Sequence, residues 1–152
     1  MNPIDAQACR DLMRGGSKSF YLSSLALPQR VRAPATALYA FCRVADDAID
    51  NSRDPNSALA DLRARLDAVY AGTPREQVAD RALAAVVSDA RLPRVLIDAL
   101  LEGFAWDAQG RRYETIEDLH AYVARVAGAV GAMMALVMET RDARSLARAS
   151  EL

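Results

Sequence analysis

Within the segment YAFCRVADDAID, residues Tyr39, Arg43, Asp46 and Asp50 follow one another at intervals of four, three and four. On a helix that spacing places all four side chains on one stripe, with the Asp46 and Asp50 carboxylates about 5–6 Å apart at Cβ. Two like charges so close repel each other, and they persist either in water or around a bound cation. A hard cation such as Mg²⁺ takes carboxylate oxygens while keeping several waters that phosphate oxygens can replace. A metal–diphosphate site is therefore the specific chemistry offered here. The same segment, with apolar Leu38, Cys42, Ala45 and Ile49 on one side and charges on its flank, also has the pattern of an ordinary surface helix. Periodicity alone leaves both readings open.

The elements that must position these groups all read as helices, and no alternating strand pattern competes with them. Pro3 suits a first helical position, where the lost N–H costs nothing, and Gly15-Gly16 end that helix. Ser17 caps a short helix that Pro28 terminates, and Pro28 to Asn51 forms the long helix bearing the stripe. Pro34 is expected to kink or restart it, because an interior proline removes a hydrogen bond and crowds the preceding turn. After a loop at 51–56, Ser57 is expected to cap a helix to about Tyr70. Gly72-Thr73-Pro74 breaks the chain, and helices follow at about 77–90 and 93–108. Thr115 with Asp118 has the form of a capping box, with Asp in place of Glu, opening a helix to about Thr140. Asp142 caps the last helix. The expected fold class is all-α.

Length and composition set further bounds. A chain of 152 residues with 52% hydrophobic content suits one domain with a real core. A net charge of −1 and the lack of a basic stripe interleaved with aromatics argue against a nucleic-acid partner. Cys9 and Cys42 are too few for a disulfide framework or zinc site and read as reduced thiols of a cytoplasmic protein. His120 stands alone, which favours a helix-surface role. The N-terminus lacks the cationic and apolar regions of a signal peptide. The longest uncharged run, Val126 to Met138, has thirteen residues, against roughly 20 needed to span a bilayer as a helix, so it reads as a buried helix. An amphipathic surface resting on a membrane to collect a lipid substrate is compatible with the chain.

Gly128 and Gly131 pose a separate question, since a glycine inside a helix costs about 1 kcal/mol relative to alanine. Their presence implies a need for space. Ala124, Gly128 and Ala132 form a small-residue stripe that admits either a closely packed helix or a long apolar ligand.

Three blocks carry a resemblance: GGSKSFYLSSLALP (Gly15 to Pro28), YAFCRVADDAID, and YVARVAGAVG (Tyr122 to Gly131). In this order and spacing the chain resembles the squalene/phytoene synthase family of head-to-head prenyl-diphosphate synthases, over nearly its whole length. EGFAWDAQGRRYETIEDL (Glu102 to Leu119) is most similar to the phytoene synthase branch, where a Gly-x-x-x-Asp element precedes an Arg-Tyr. The resemblance implies an isoprenoid-synthase-type helical bundle in which Asp46 and Asp50 hold Mg²⁺, or Mn²⁺ in its place, with Asp47 in a lesser or outer role. Arg43 would pair with the carboxylates or fork onto phosphate oxygens, and Tyr39 would point toward the diphosphate or the carbocation. Ser17, Lys18 and Ser19 would lie near a diphosphate and Phe20 toward the isoprenoid. Tyr122, Val126, Gly128 and Val130 would line the isoprenoid channel.

The implied reaction condenses two geranylgeranyl diphosphates, through a cyclopropylcarbinyl diphosphate, to phytoene in carotenoid biosynthesis. It needs no nicotinamide cofactor, and no Gly-rich dinucleotide fingerprint is present. Runners-up are a relative using C15 substrates to make dehydrosqualene, presqualene diphosphate or squalene, and a non-catalytic helical fragment that binds lipid diphosphate. In the family a second Asp-x-x-x-Asp helix faces the first, and no such motif follows ARASEL here. The 152 residues are thus expected to be the N-terminal portion of one synthase domain, inactive alone and self-associating through exposed apolar surface.

Overall fold

The computed structural model describes residues 1–140 and 142–151. Among these residues there are helices and no strands: α1 (Pro3–Gly16), α2 (Lys18–Leu25), α3 (Gln29–Asp50), α4 (Pro55–Tyr70), α5 (Val78–Ala90), α6 (Arg94–Ala108), α7 (Ile116–Val123), a π-helical turn (Ala124–Gly128), α8 (Ala129–Val137) and α9 (Ala143–Ser150). Local hydrogen bonds start most of them. The side chains of Asn2, Ser17, Thr115 and Asp142 each accept a backbone N–H of the first turn that follows, satisfying donors that have no partner within the helix.

Helix α3 is the hub, packing on α1, α2, α4, α5, α6 and α8. Its buried positions include Ala35, Ala37, Ala40 and Ala45, and these short side chains let neighbours approach from several sides. Phe41, 1% exposed, then fills the space with Leu62 and Leu66 of α4, Leu83 of α5, and Ile97, Leu100 and Leu101 of α6. Between α4 and α5 the core encloses an ion pair, Arg65 Nη2 to Asp80 Oδ1 at 2.6 Å with Nε to Oδ2 at 3.0 Å. The fork satisfies both carboxylate oxygens, the condition for burying charge at tolerable cost.

Two expectations about helix ends are corrected. The long helix does not restart at Pro34 but runs through it from Gln29 to Asp50. The missing N–H deprives only the carbonyl of exposed Arg30, which water can serve. Helix α4 begins three residues earlier than expected, because Asp54 Oδ1 accepts from the N–H groups of both Asn56 and Ser57 at 3.2 Å while Pro55 takes the first helical position. Asp caps as well as Ser does, so the Asp-Pro pair outcompetes Ser57.

The expected single helix from Thr115 to about Thr140 instead ends at Val137 and contains the π-helical turn at Ala124–Gly128. The stretch Ile116–Val137 is 22 residues long with a mean hydropathy of 1.4 in its most apolar window, enough by those two measures to cross a membrane. Here Ala129, Ala132, Met133, Leu136 and Val137 are buried, and α8 packs on α3, α6 and α9.

The glycines of this region serve helix packing. A Cβ on Gly128 would lie 2.5 Å from the carbonyl oxygen of Ser150, and one on Gly131 would collide with that of Ala149. Helix α9 therefore rests on this glycine face. On the other side, a Cβ on Gly103 of α6 would stand 2.6 Å from Cγ1 of Val126, so α6 meets the π-helical turn at equally close range.

Candidate functional site

A groove of about 650 Å³ opens where α2, α3, α6 and the π-helical turn with α8 converge. Its polar side is formed by Ser17, Tyr39, Arg43 and Asp46, and its apolar side by Phe20, Leu38, Phe104, Val126, Val130 and Met134. Tyr39, Arg43 and Asp46 reach it together because four- and three-residue steps repeat nearly the same direction on α3. Val126 and Val130 face it across the bundle, from the π-helical turn and the first turn of α8.

The other predicted residues fall around this groove in different ways. Asp50, one turn beyond Asp46, is exposed and outside the lining, so three of the four stripe residues reach the groove. Lys18 and Ser19 are exposed on the first turn of α2, where the Ser17 and Ser19 hydroxyls lie 3.2 Å apart and Ser17 Oγ accepts from Phe20 N–H at 3.3 Å. Phe20, 61% exposed, sets its ring edge-on to Tyr39 with centroids 5.8 Å apart. The Tyr39 hydroxyl packs against Gly16, where a Cβ would come within 2.5 Å of it. Gly128 faces α9 rather than the groove. Tyr122 also stands outside the lining, and its hydroxyl donates to Asp107 Oδ2 at 2.7 Å.

Charge is unevenly balanced at the head of the groove. Arg43 is committed mainly to Asp47, with Nη2 to Oδ1 at 2.7 Å and Nε to Oδ2 at 3.0 Å, and stands 3.9 Å from Asp46. Partial burial raises the carboxyl pKa of Asp46 above its ordinary value; the charge of Asp50 adds to this, Arg43 opposes it, and Asp47 and Asp107 push the same way. One guanidinium thus faces several carboxylates. A divalent cation would offset this imbalance, and Asp46 and Asp50 are the carboxylates that could supply its protein oxygens while Arg43 holds Asp47. No group of three or more His, Cys, Asp or Glu among the described residues is placed to enclose a metal. Such an open donor set matches a hard divalent cation that binds through one or two carboxylates and completes its shell with waters and phosphate oxygens.

Cys42 lines the apolar side, and burial pushes its thiol up to about 12, so it stays a protonated, unreactive wall residue. A second cavity, about 570 Å³ between Met1, Arg30, Asp89 and Glu139, contains none of the candidate residues. Asp107, the acid of the Gly-x-x-x-Asp element, is the residue near the site to which sequence reasoning gave no role. Its signal was present: a carboxylate in the last turn of α6 opposes the negative end of the helix dipole, so helix stability does not account for it.

An all-α bundle of isoprenoid-synthase type, with carboxylates at the head of an apolar groove, is the class that fold and site define. Two solved structures share it. A squalene synthase from Alicyclobacillus acidocaldarius superposes with a TM-score of 0.88 at 29% identity, over 96% of this chain and 56% of that one. A dehydrosqualene synthase gives 0.80 at 34% identity, over 88% and 47%. The sequence profile of squalene/phytoene synthases matches residues 13–152, and the chain belongs to that family. It is 56% identical over 151 residues to a phytoene synthase of Rhodobacter capsulatus and 53% identical over 158 residues to one of Cereibacter sphaeroides, in each case across 97% of this chain and 44% of the relative. The chain therefore spans less than half the length of these relatives.

Proposed function

We propose that the protein to which these residues belong is a phytoene synthase, a prenyltransferase that joins two geranylgeranyl diphosphates head to head. The observation that carries this reading is the groove itself, which sets the Tyr39, Arg43 and Asp46 side chains against the apolar surface of Phe20, Phe104, Val126 and Val130. Diphosphate at one end and isoprenoid along the other is the substrate shape such a groove accepts. The identities to phytoene synthases of 53% and 56% select the branch.

In the reaction, one molecule loses diphosphate, and the double bond of the other attacks the allylic cation with proton loss to give a cyclopropylcarbinyl diphosphate. Loss of the second diphosphate, rearrangement and a further proton loss yield phytoene; no electrons are exchanged with a cofactor. Asp46 and Asp50 would hold Mg²⁺, with Mn²⁺ as substitute, which when bound supplies charge stabilisation to the departing diphosphate. Arg43, paired with Asp47, would keep that carboxylate out of the shell and offer its remaining N–H groups to phosphate oxygens, which a planar guanidinium suits. Ser17, Ser19 and Lys18 offer donors at the start of α2, a position that favours anions. Phe20, Val126 and Val130 exclude water from the cation and hold the chains.

A C15-using activity is the alternative that the likeness to a dehydrosqualene synthase favours. Incubating the complete protein and Mg²⁺ with geranylgeranyl or farnesyl diphosphate decides between them. Phytoene from the first and no condensation of the second is the expected result; the reverse preference overturns the assignment. We place the protein in the cytoplasm, drawing its substrate from the membrane surface.

A further inference from the structure

From the Asp107–Tyr122 hydrogen bond we infer that Asp107 is a positioning residue for the reaction proposed above, fixing the direction of the Tyr122 hydroxyl. This inference rests on that assignment of function and adds a residue to it.

The backbone holds Asp107 rigidly. Helix α6 closes with Gly110 in the left-handed region at φ +62°, Gly110 N–H donating to the Asp107 carbonyl at 2.9 Å and Arg111 N–H to that of Trp106 at 3.1 Å. This six-to-one and five-to-two pair of bonds is the closure that glycine permits at a helix end. Arg111 then lays its guanidinium over Trp106, 3.9 Å from the ring centroid. Arg125 covers the same ring at 4.2 Å while its Nε stands 2.9 Å from Glu102, tying the end of α6 to the π-helical turn. On the other partner, Tyr122 stacks on Tyr113 with centroids 4.9 Å apart. Both ends of the Asp107–Tyr122 bond are thus anchored independently of it.

The bond has a direction that matters. A tyrosine hydroxyl has one proton and two lone pairs; with the proton given to Asp107, the lone pairs are the groups left to meet an electron-poor centre. Asp46 lies within electrostatic range of both Asp107 and Tyr122, which puts the hydrogen-bonded pair on the same side of the bundle as the proposed diphosphate site. Stability does not explain the carboxylate, since Asp107 is exposed, sits at the negative end of α6, and adds to the repulsion on Asp46. A local rule broken for a single hydrogen bond to a tyrosine hydroxyl is what a functional position looks like.

The test uses the complete protein with geranylgeranyl diphosphate and Mg²⁺, comparing Asp107→Asn, Asp107→Ala, Tyr122→Phe and the two double variants. Asp107→Ala is expected to lower kcat by at least tenfold with KM within twofold, Asp107→Asn to lie between it and wild type, and neither to lower the thermal midpoint. In the Tyr122→Phe background, neither Asp107 change is expected to cost more than a further twofold. In protein labelled with ¹³Cζ-tyrosine, the resonance missing from Tyr122→Phe is expected to shift in Asp107→Ala. Wild-type kcat in Asp107→Ala, full additivity with Tyr122→Phe, or an unmoved resonance would each overturn the inference. A wild-type protein that consumes no geranylgeranyl diphosphate overturns the underlying function instead, and the carbon resonance still reports whether Asp107 holds Tyr122.

Discussion

At Asp46, burial and neighbouring carboxylates act together against ionisation, and the raised carboxyl pKa means that the folded state binds a proton there more tightly than the unfolded chain does. The ionised form therefore costs stability at neutral pH, and the cost shrinks as pH falls below the raised value and is gone below the ordinary 3.8. Asp46→Asn removes that cost along with a metal-binding oxygen. In the complete protein we expect turnover to fall by orders of magnitude while the thermal midpoint stays level or rises. Asp50→Asn should repeat the loss of turnover, since its charge also bears on Asp46. Steady-state assays with geranylgeranyl diphosphate, paired with calorimetry, check both parts, and full activity in either variant would remove these residues from the site.

Among the elements, two ion pairs fix the helices that surround α3, and they answer to different perturbations. Buried Asp5 of α1 accepts from Arg81 Nη2 at 2.6 Å and Nε at 3.1 Å, and the Arg81 hydrogen bond holds its carboxyl below the ordinary 3.8. Because the folded value is the lower one, this pair contributes fully above about pH 3.8 and its contribution vanishes as pH falls through the folded value. Thermal melts of wild type and Asp5→Asn from neutral pH downward should converge in that acid window. The Arg65–Asp80 pair lies deeper, at 5% and 0% side-chain exposure. Arg65→Ala strands a buried carboxylate, so urea unfolding should show a loss of about 3–5 kcal/mol. Gly131→Ala tests the α8–α9 contact, because its methyl group would collide with the Ala149 carbonyl. Limited proteolysis should then cut first near the start of α9.

For the whole molecule, the distribution of apolar surface sets the expectation. Leu22 and Leu25 of α2 are 65% and 47% exposed outside the groove lining, and Phe20, 61% exposed, borders a groove that is apolar along most of its length. Contiguous apolar patches of a few hundred Å² or more mark interfaces or association sites. The 152-residue chain is expected to self-associate in analytical ultracentrifugation, and Leu22→Ser with Leu25→Ser to shift it toward monomer. One monomeric species at every concentration would contradict this.

What the amino-acid order determines by itself is the set of helices and one functional stripe. Ser17, Thr115 and Asp142 bond their own first turns, and Tyr39, Arg43 and Asp46 share a face because helical geometry repeats every few residues; both effects act within one or two turns of chain. The choice between Asp54 and Ser57 as a cap was local too, but two equivalent side chains competed and only the folded backbone shows which won. Everything that depends on distant segments was decided by tertiary structure. Packing turned Gly128 and Gly131 to α9 instead of the groove, placed Asp50 outside the lining, and set the π-helical turn against Gly103. It also brought Asp107, fifteen residues from Tyr122 in the chain, to its hydroxyl. No periodicity encodes such meetings, because they are set by how whole helices cross, not by the spacing of residues along one.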